Sequence, residues 1–175
     1  MDGTIHAPVI PQDREAEALV LGSILRSRDL LLKVQEFLRA DDFYSQAHLH
    51  IFQTMLEMSD KLRDIDHFTL SDALKRKGIL EEVGGMSYIA ELEDLVPASA
   101  SVEEYARIVR EKAMLRKVVE VTQGILQTAN GRVEDAEKFA DEAERRLFEV
   151  TQRYFRTSSK PIRTLVKDYI KKLEY

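Results

Sequence analysis

The chain has no cysteine. That excludes disulfides, thiol catalysis and the common structural zinc sites, so stability must come from packing, and the absence suits a cytoplasmic protein. No apolar run approaches the roughly 20 residues that a membrane span needs. The segment from Met1 to Ile10 has no basic region followed by an apolar one, as a secretory leader would. There is no Gly-x-x-x-x-Gly-Lys-Ser/Thr loop to cradle phosphates, so the sequence offers no site for nucleotide hydrolysis and no catalytic, cofactor or metal residues are assigned. Gly84-Gly85 is no substitute, because no lysine stands at the needed position, and it reads as a structural turn.

What is present is a chain of 175 residues with 44% apolar content, enough for one real core and a small second cluster. The net charge of −5 is unevenly spread. Met1 to Pro97 carries 18 acidic and 10 basic residues, Ala98 to Arg153 carries 11 and 10, and Tyr154 to Tyr175 carries 2 and 6. Nonspecific nucleic-acid affinity is largely Lys and Arg neutralising phosphates, so the front half is expected to bind DNA little.

Two carboxylate clusters invite a metal reading, and neither spacing supports it. His48 and His50 are two apart on a helical pattern and point to different sides, so they do not share an ion with Asp41 and Asp42. His48 reads instead as a packed or capping residue, and the Asp41-Asp42 pair as support for the following helix. Asp60, Asp64 and Asp66 lack the glycine and terminal glutamate of a calcium loop and read as a solvated acidic loop.

Apolar residues recur at helical spacing almost throughout, which predicts an all-α chain. The expected helices are Asp13 to Ser27, with Glu15 and Glu17 at its positive end and Ala16, Leu19, Val20, Leu21 and Ile24 inward; Leu30 to Leu38; Ser45 to Lys61, with Ile51, Phe52, Met55 and Leu56 inward; Phe68 to Lys77, closed by Gly78; and Met86 to Leu95, stopped by Pro97. These make a globular head over residues 1–97.

Ser101 and Glu104 match a capping box opening a long helix that runs to about Ala129, where Asn130-Gly131 turns the chain into a second long helix from about Asp135 to Arg153. Val109, Ala113, Ala136, Phe139, Ala143, Leu147 and Val150 fall at three- and four-residue steps and predict a packed seam. Residues 98–153 are thus expected to form a long antiparallel helical hairpin. The apolar positions Val102, Ile108, Leu115, Val118, Val119, Ile125 and Leu126 wrap around more than one face, so part of that surface is expected to meet the head or another chain. Residues 154–161 read as a linker and 162–175 as a separate short amphipathic linker helix that needs a partner surface.

Six motifs then stand in order: Glu15-Ala-Glu17 running into Val20-Leu21-Gly22 and Ile24-Leu25; Asp42-Phe43-Tyr44 with His48 and Ile51-Phe52; Ile65-Asp66; Gly84-Gly85 with Tyr88 and Leu92; Pro97 to Ala100; and Tyr105 to Val109. Together, from about Pro11 through Val150, they resemble the N-terminal domain of the bacterial replicative DNA helicase, the DnaB family. The resemblance implies a helical head and hairpin, with hairpins pairing between subunits and heads forming a collar above a hexameric motor. It implies that the collar receives the C-terminal domain of primase, with a helicase loader as a further candidate partner. ATP and Mg would belong to the parent protein's motor, which is expected to begin where this sequence stops. On this reading Tyr88, Arg116, Val119 and Ile125 are candidates for the primase or subunit interface. Ile162, Leu165, Val166, Tyr169 and Ile170 are candidates for the linker-helix contact. A helicase-loader-like or nucleic-acid-binding helical module is the alternative; the second needs a basic stripe, and the first has no reason to carry all six motifs.

Overall fold

The computed structural model describes residues 10–155, so the linker and the linker-helix candidates lie outside the described residues. Among the described residues the chain is all-α, with seven helices and no strand: α1 (Arg14–Arg26), α2 (Asp29–Val34), α3 (Gln46–Asp60), α4 (His67–Arg76), α5 (Gly85–Asp94), α6 (Val102–Ala129) and α7 (Ala136–Phe155). A 3-10 turn, Ala40–Asp42, sits before α3.

Local chemistry accounts for the helix ends. Asp13 caps α1 by accepting from the Ala16 amide, Ser45 caps α3 by accepting from His48, and Asp66 caps α4 by accepting from Phe68 and Thr69. Gly78 follows α4 at φ 75°. The expected second helix is shorter than its apolar pattern, because after Val34 the chain continues only as turns before the 3-10 segment. The expected capping box at α6 also differs: the Ser101 hydroxyl donates to Glu103, and Glu104 pairs with Arg107.

The chain divides into two compact units, one through Arg116 and one from Lys117 onward. In the first, α1 is central, packed by α2, α3 and most extensively by α5. Its burial goes nearly all the way round, including Ala16, Glu17, Ala18, Val20, Leu21, Gly22, Ser23, Ile24 and Leu25. Ile51, Phe52, Met55, Leu70, Leu74, Ile89 and Leu92 complete a core whose side chains are wholly buried. Each such side chain is worth about 1.5–3 kcal/mol relative to exposure. Gly22 explains how α1 and α5 approach so closely, because a Cβ there would stand 1.9 Å from the Leu92 carbonyl oxygen.

The first half of α6 also belongs to this core. Val102, Ala106 and Val109 are buried among the head residues, so Val109 is not part of a hairpin seam as its spacing suggested. The turn-by-turn pattern of one long helix cannot show where its packing partner changes. In the second unit, Ile125 and Thr128 of α6 and Phe139, Glu142, Ala143 and Arg146 of α7 line a small shared cleft, the expected antiparallel pairing of chain segments joined at Asn130-Gly131. Ala136 is exposed rather than part of that seam, whereas Val150 is buried.

Candidate functional site

Glu17 is the least expected feature of the head. Its place in the first turn of α1 suggested only a favourable interaction with the helix dipole, yet it is 1% exposed. Its carboxylate accepts from the Tyr44 amide at 2.6 Å, the Ser45 amide at 3.2 Å and His48 Nδ1 at 2.8 Å. A buried charge is tolerated when it is hydrogen-bonded in this way, and here the donors come from the N-terminus of α3, where the helix dipole also favours negative charge.

His48 continues the chain of bonds. A carboxylate only accepts, so the hydrogen on Nδ1 points to Glu17, and in the neutral ring Nε2 accepts from the Tyr88 hydroxyl, 2.6 Å away. The His48 and Tyr88 rings are nearly parallel, 4° apart. His48 is therefore a packed residue, one of the two roles, packed or capping, that the sequence left to it. Burial pushes the Tyr88 phenol above its ordinary pKa, with Glu91 and Glu17 adding to the shift and Arg14 opposing it. Gly84, at φ 103°, makes the turn beneath this tyrosine: a Cβ at Gly84 would stand 2.8 Å from that of Tyr88.

Arg116 seals the same neighbourhood. Its guanidinium donates to the carbonyls of Pro11 and Asp42 and lies over the Tyr44 ring, 5.6 Å from its centroid, while Arg14 also lies over that ring at 5.5 Å. Asp42 is buried, and its side chain accepts from the Arg39 amide within the 3-10 turn. It thus shapes the turn before α3, while Ser45 supplies the helix cap. Of the acidic loop, Asp64 is exposed and pairs with Arg28, and Asp66 is a cap.

The four interface candidates therefore fall into two environments. Tyr88 and Arg116 are half-buried in the head, tied to His48 and to the backbone around Pro11 and Asp42. Val119 and Ile125 lie in the second unit, where Ile125 is half-buried and contributes to the cleft with α7. Val119 is 39% exposed and Leu126, seven residues on and so on the same face of α6, is 58% exposed. Leu147 and Phe148 of α7 are also exposed. Ile89, next to Tyr88 in α5, is wholly buried in the head core, and Val118 of α6 is half-buried. Among the described residues no group of His, Asp and Glu is arranged to hold a metal ion, and no helix is long and apolar enough to cross a membrane.

Sequence reasoning missed the buried Glu17. The signal available was an acidic residue flanked by Ala16 and Ala18 on a helix whose neighbours are almost all apolar.

Comparison with known proteins is consistent with this architecture. Residues 9–111 match the family model of the DnaB-like helicase N-terminal domain. The chain is similar to the replicative DNA helicase DnaB of Geobacillus stearothermophilus, 43% identical over 115 residues, covering 66% of this chain and 25% of that protein. It is 39% identical over 115 residues to the replicative DNA helicase DnaC of Bacillus subtilis, again over 66% of this chain and 25% of the relative. Its fold is similar to the N-terminal domain of DnaB helicase from Mycobacterium tuberculosis, with a TM-score of 0.76, 35% identity and coverage of 81% of this chain and 99% of that one. A DnaB-like replicative helicase studied with its interactions with primase aligns at a TM-score of 0.65 and 25% identity, over 85% of this chain and 36% of that one.

Proposed function

Because the chain belongs to the DnaB-like helicase N-terminal domain family, we propose that it acts as the collar of a hexameric, ATP-driven replicative helicase, joining subunits and receiving primase at the replication fork. The chain spans about a quarter of the length of the curated relatives it matches. The chemistry of unwinding is assigned in this reading to the remainder of such a protein, and the collar's role is coupling. It holds subunits in register and transmits primase docking to the ring.

The observation that carries the reading is the exposed apolar face of α6 at Val119 and Leu126. A hairpin that buried all its apolar residues against itself would have no reason to present that face. Contiguous apolar patches left on a protein surface usually mark partner sites. A related solved helicase whose interactions with primase were described supports the choice of partner. In this assignment Val119 and Ile125 contribute apolar contact, while Tyr88 and Arg116 present their exposed edges beside the head's buried network.

The direct test is calorimetric titration of the chain with the C-terminal domain of primase from the same organism, with oligomeric state measured by sedimentation in the same buffer. Saturable binding by an assembled chain supports docking on the collar. An assembled chain that shows no heat and no co-sedimentation removes primase docking from the proposal and leaves subunit assembly.

A further inference from the structure

The head carries a second surface that neither the core nor the α6 face explains. Between the C-terminal halves of α3 and α4 lies a cleft of about 230 Å³, lined by Thr54, Glu57, Met58, Ala73 and four cations, Lys61, Arg63, Arg76 and Lys77. Met58 and Ala73 supply an apolar floor. A cavity of roughly 150 Å³ holds a benzene-sized group. This cleft therefore has room for one aromatic or branched side chain.

Its rim is basic in a head whose sequence is acidic, with 18 acidic against 10 basic residues through Pro97. Lys77 is tied to Thr54 and Glu57, and Arg76 to Asp72. A cation at the end of a helix complements the dipole, which accounts for Arg76 and Lys77 at the end of α4. That reasoning does not reach Arg63, which stands beyond the end of α3. The side chains of Lys61 and Arg63 make no hydrogen bond or ion pair with any described residue.

Leu62, between those two cations, is anomalous on its own. Helix α3 ends with Arg63 N–H donating to the Met58 carbonyl and Leu62 N–H donating to that of Ser59, a Schellman closure whose left-handed position is normally glycine. Here it is leucine, at φ 55° and 85% exposed. An L side chain in this region is strained, and an apolar one facing water gains nothing in return. A contact from outside the chain would give it a function.

We infer that this cleft binds a short acidic peptide segment of a partner protein, with one apolar side chain entering over Met58 and Ala73, carboxylates meeting Lys61 and Arg63, and Leu62 covering the bound segment. Charge complementarity selects the acidic ligand, and the apolar floor selects a peptide over nucleic acid. A phosphate backbone running beyond the cleft would cross the acidic remainder of the head. This inference does not depend on primase docking or on hairpin pairing.

The test is fluorescence anisotropy of the full chain with a labelled hexapeptide of four aspartates followed by leucine and phenylalanine. Saturable binding that weakens as salt is raised is the expected result. Reversing both free cations, Lys61→Glu with Arg63→Glu, lowers affinity about tenfold or more; the acid placed at the C-cap of α3 lowers the unfolding temperature slightly, and the variant stays folded at the assay temperature. Leu62→Gly separates ligand contact from structure: it raises the unfolding temperature by relieving the left-handed leucine, yet weakens peptide binding. Replacing the peptide's two apolar residues by serine also weakens binding. Three outcomes overturn the inference: no saturable binding, affinity indifferent to the two charge reversals, or an oligothymidylate that binds the cleft as well as the peptide does, which would make the surface a phosphate track.

Discussion

The Tyr44 amide donates to Glu17 Oε1 across 2.6 Å, and this one bond fastens the first turn of α1 to the entry of α3, 27 residues further along the chain. The same carboxylate accepts from Ser45 and His48. Glu17→Ala would leave two part-buried amides and a buried imidazole N–H without an acceptor. The expected loss is about 3–5 kcal/mol, the range for breaking a buried charge network by removing one partner. Glu17→Gln keeps one carbonyl oxygen and is expected to lose less. Chemical denaturation of both variants checks this. Equal stability of Glu17→Ala and the parent would mean that the network is dispensable.

Gly22 and Gly124 give opposite results for the same substitution. A Cβ at Gly22 collides with the Leu92 carbonyl and with Val96, so Gly22→Ala must push α1 and α5 apart, at about 1–3 kcal/mol or more. At Gly124, within α6, nothing lies within 4 Å of the added carbon. Gly124→Ala is therefore expected to stabilise by about 0.5–1 kcal/mol through helix propensity. Melting temperatures that move in the same direction for both would contradict this account.

Asp66 makes the head sensitive to acid. The bond from the Thr69 amide holds its carboxyl below the ordinary value; burial opposes this, and the Phe68 amide, the Thr69 hydroxyl and His67 add to the lowering. A carboxyl with a depressed folded pKa contributes stability that is present above its unfolded pKa of about 3.9 and is lost as pH falls through the folded value. Stability profiles of the parent and Asp66→Asn should thus differ in slope below about pH 4 and run parallel above pH 5. Asp66→Ala removes the cap itself and lowers stability by about 1 kcal/mol at neutral pH. A common slope for all three in acid would exclude Asp66 as a contributor.

The exposed face of α6 should be separable from folding. Val119→Asp with Leu126→Asp alters surface side chains, so each change is expected to shift the stability of an unassociated chain by no more than about 0.5 kcal/mol. If that face joins subunits, the double variant sediments as a smaller species than the parent at equal concentration. An unchanged distribution in a chain that does self-associate would place the interface elsewhere.

The helix order and most helix ends were legible in the sequence, because a helix start is a local event. Asp13, Ser45 and Asp66 each accept from an amide two or three residues away, and such a bond requires no knowledge of the rest of the chain. The Gly84-Gly85 turn was readable for the same reason, and both glycines have positive φ. The six ordered motifs also identified the family from sequence alone.

What only the tertiary structure decided concerns groups distant in the chain. Glu17 looks like an ordinary first-turn acid until α3 is placed against it, and Arg116 looks like a surface cation until its guanidinium meets the carbonyls of Pro11 and Asp42. The division of α6 was hidden likewise: Val109 and Ile125 have similar helical spacing, but one is buried in the head core and the other lines the cleft with α7. Periodicity reports which side of a helix is apolar, whereas the identity of the surface covering that side is fixed by long-range packing.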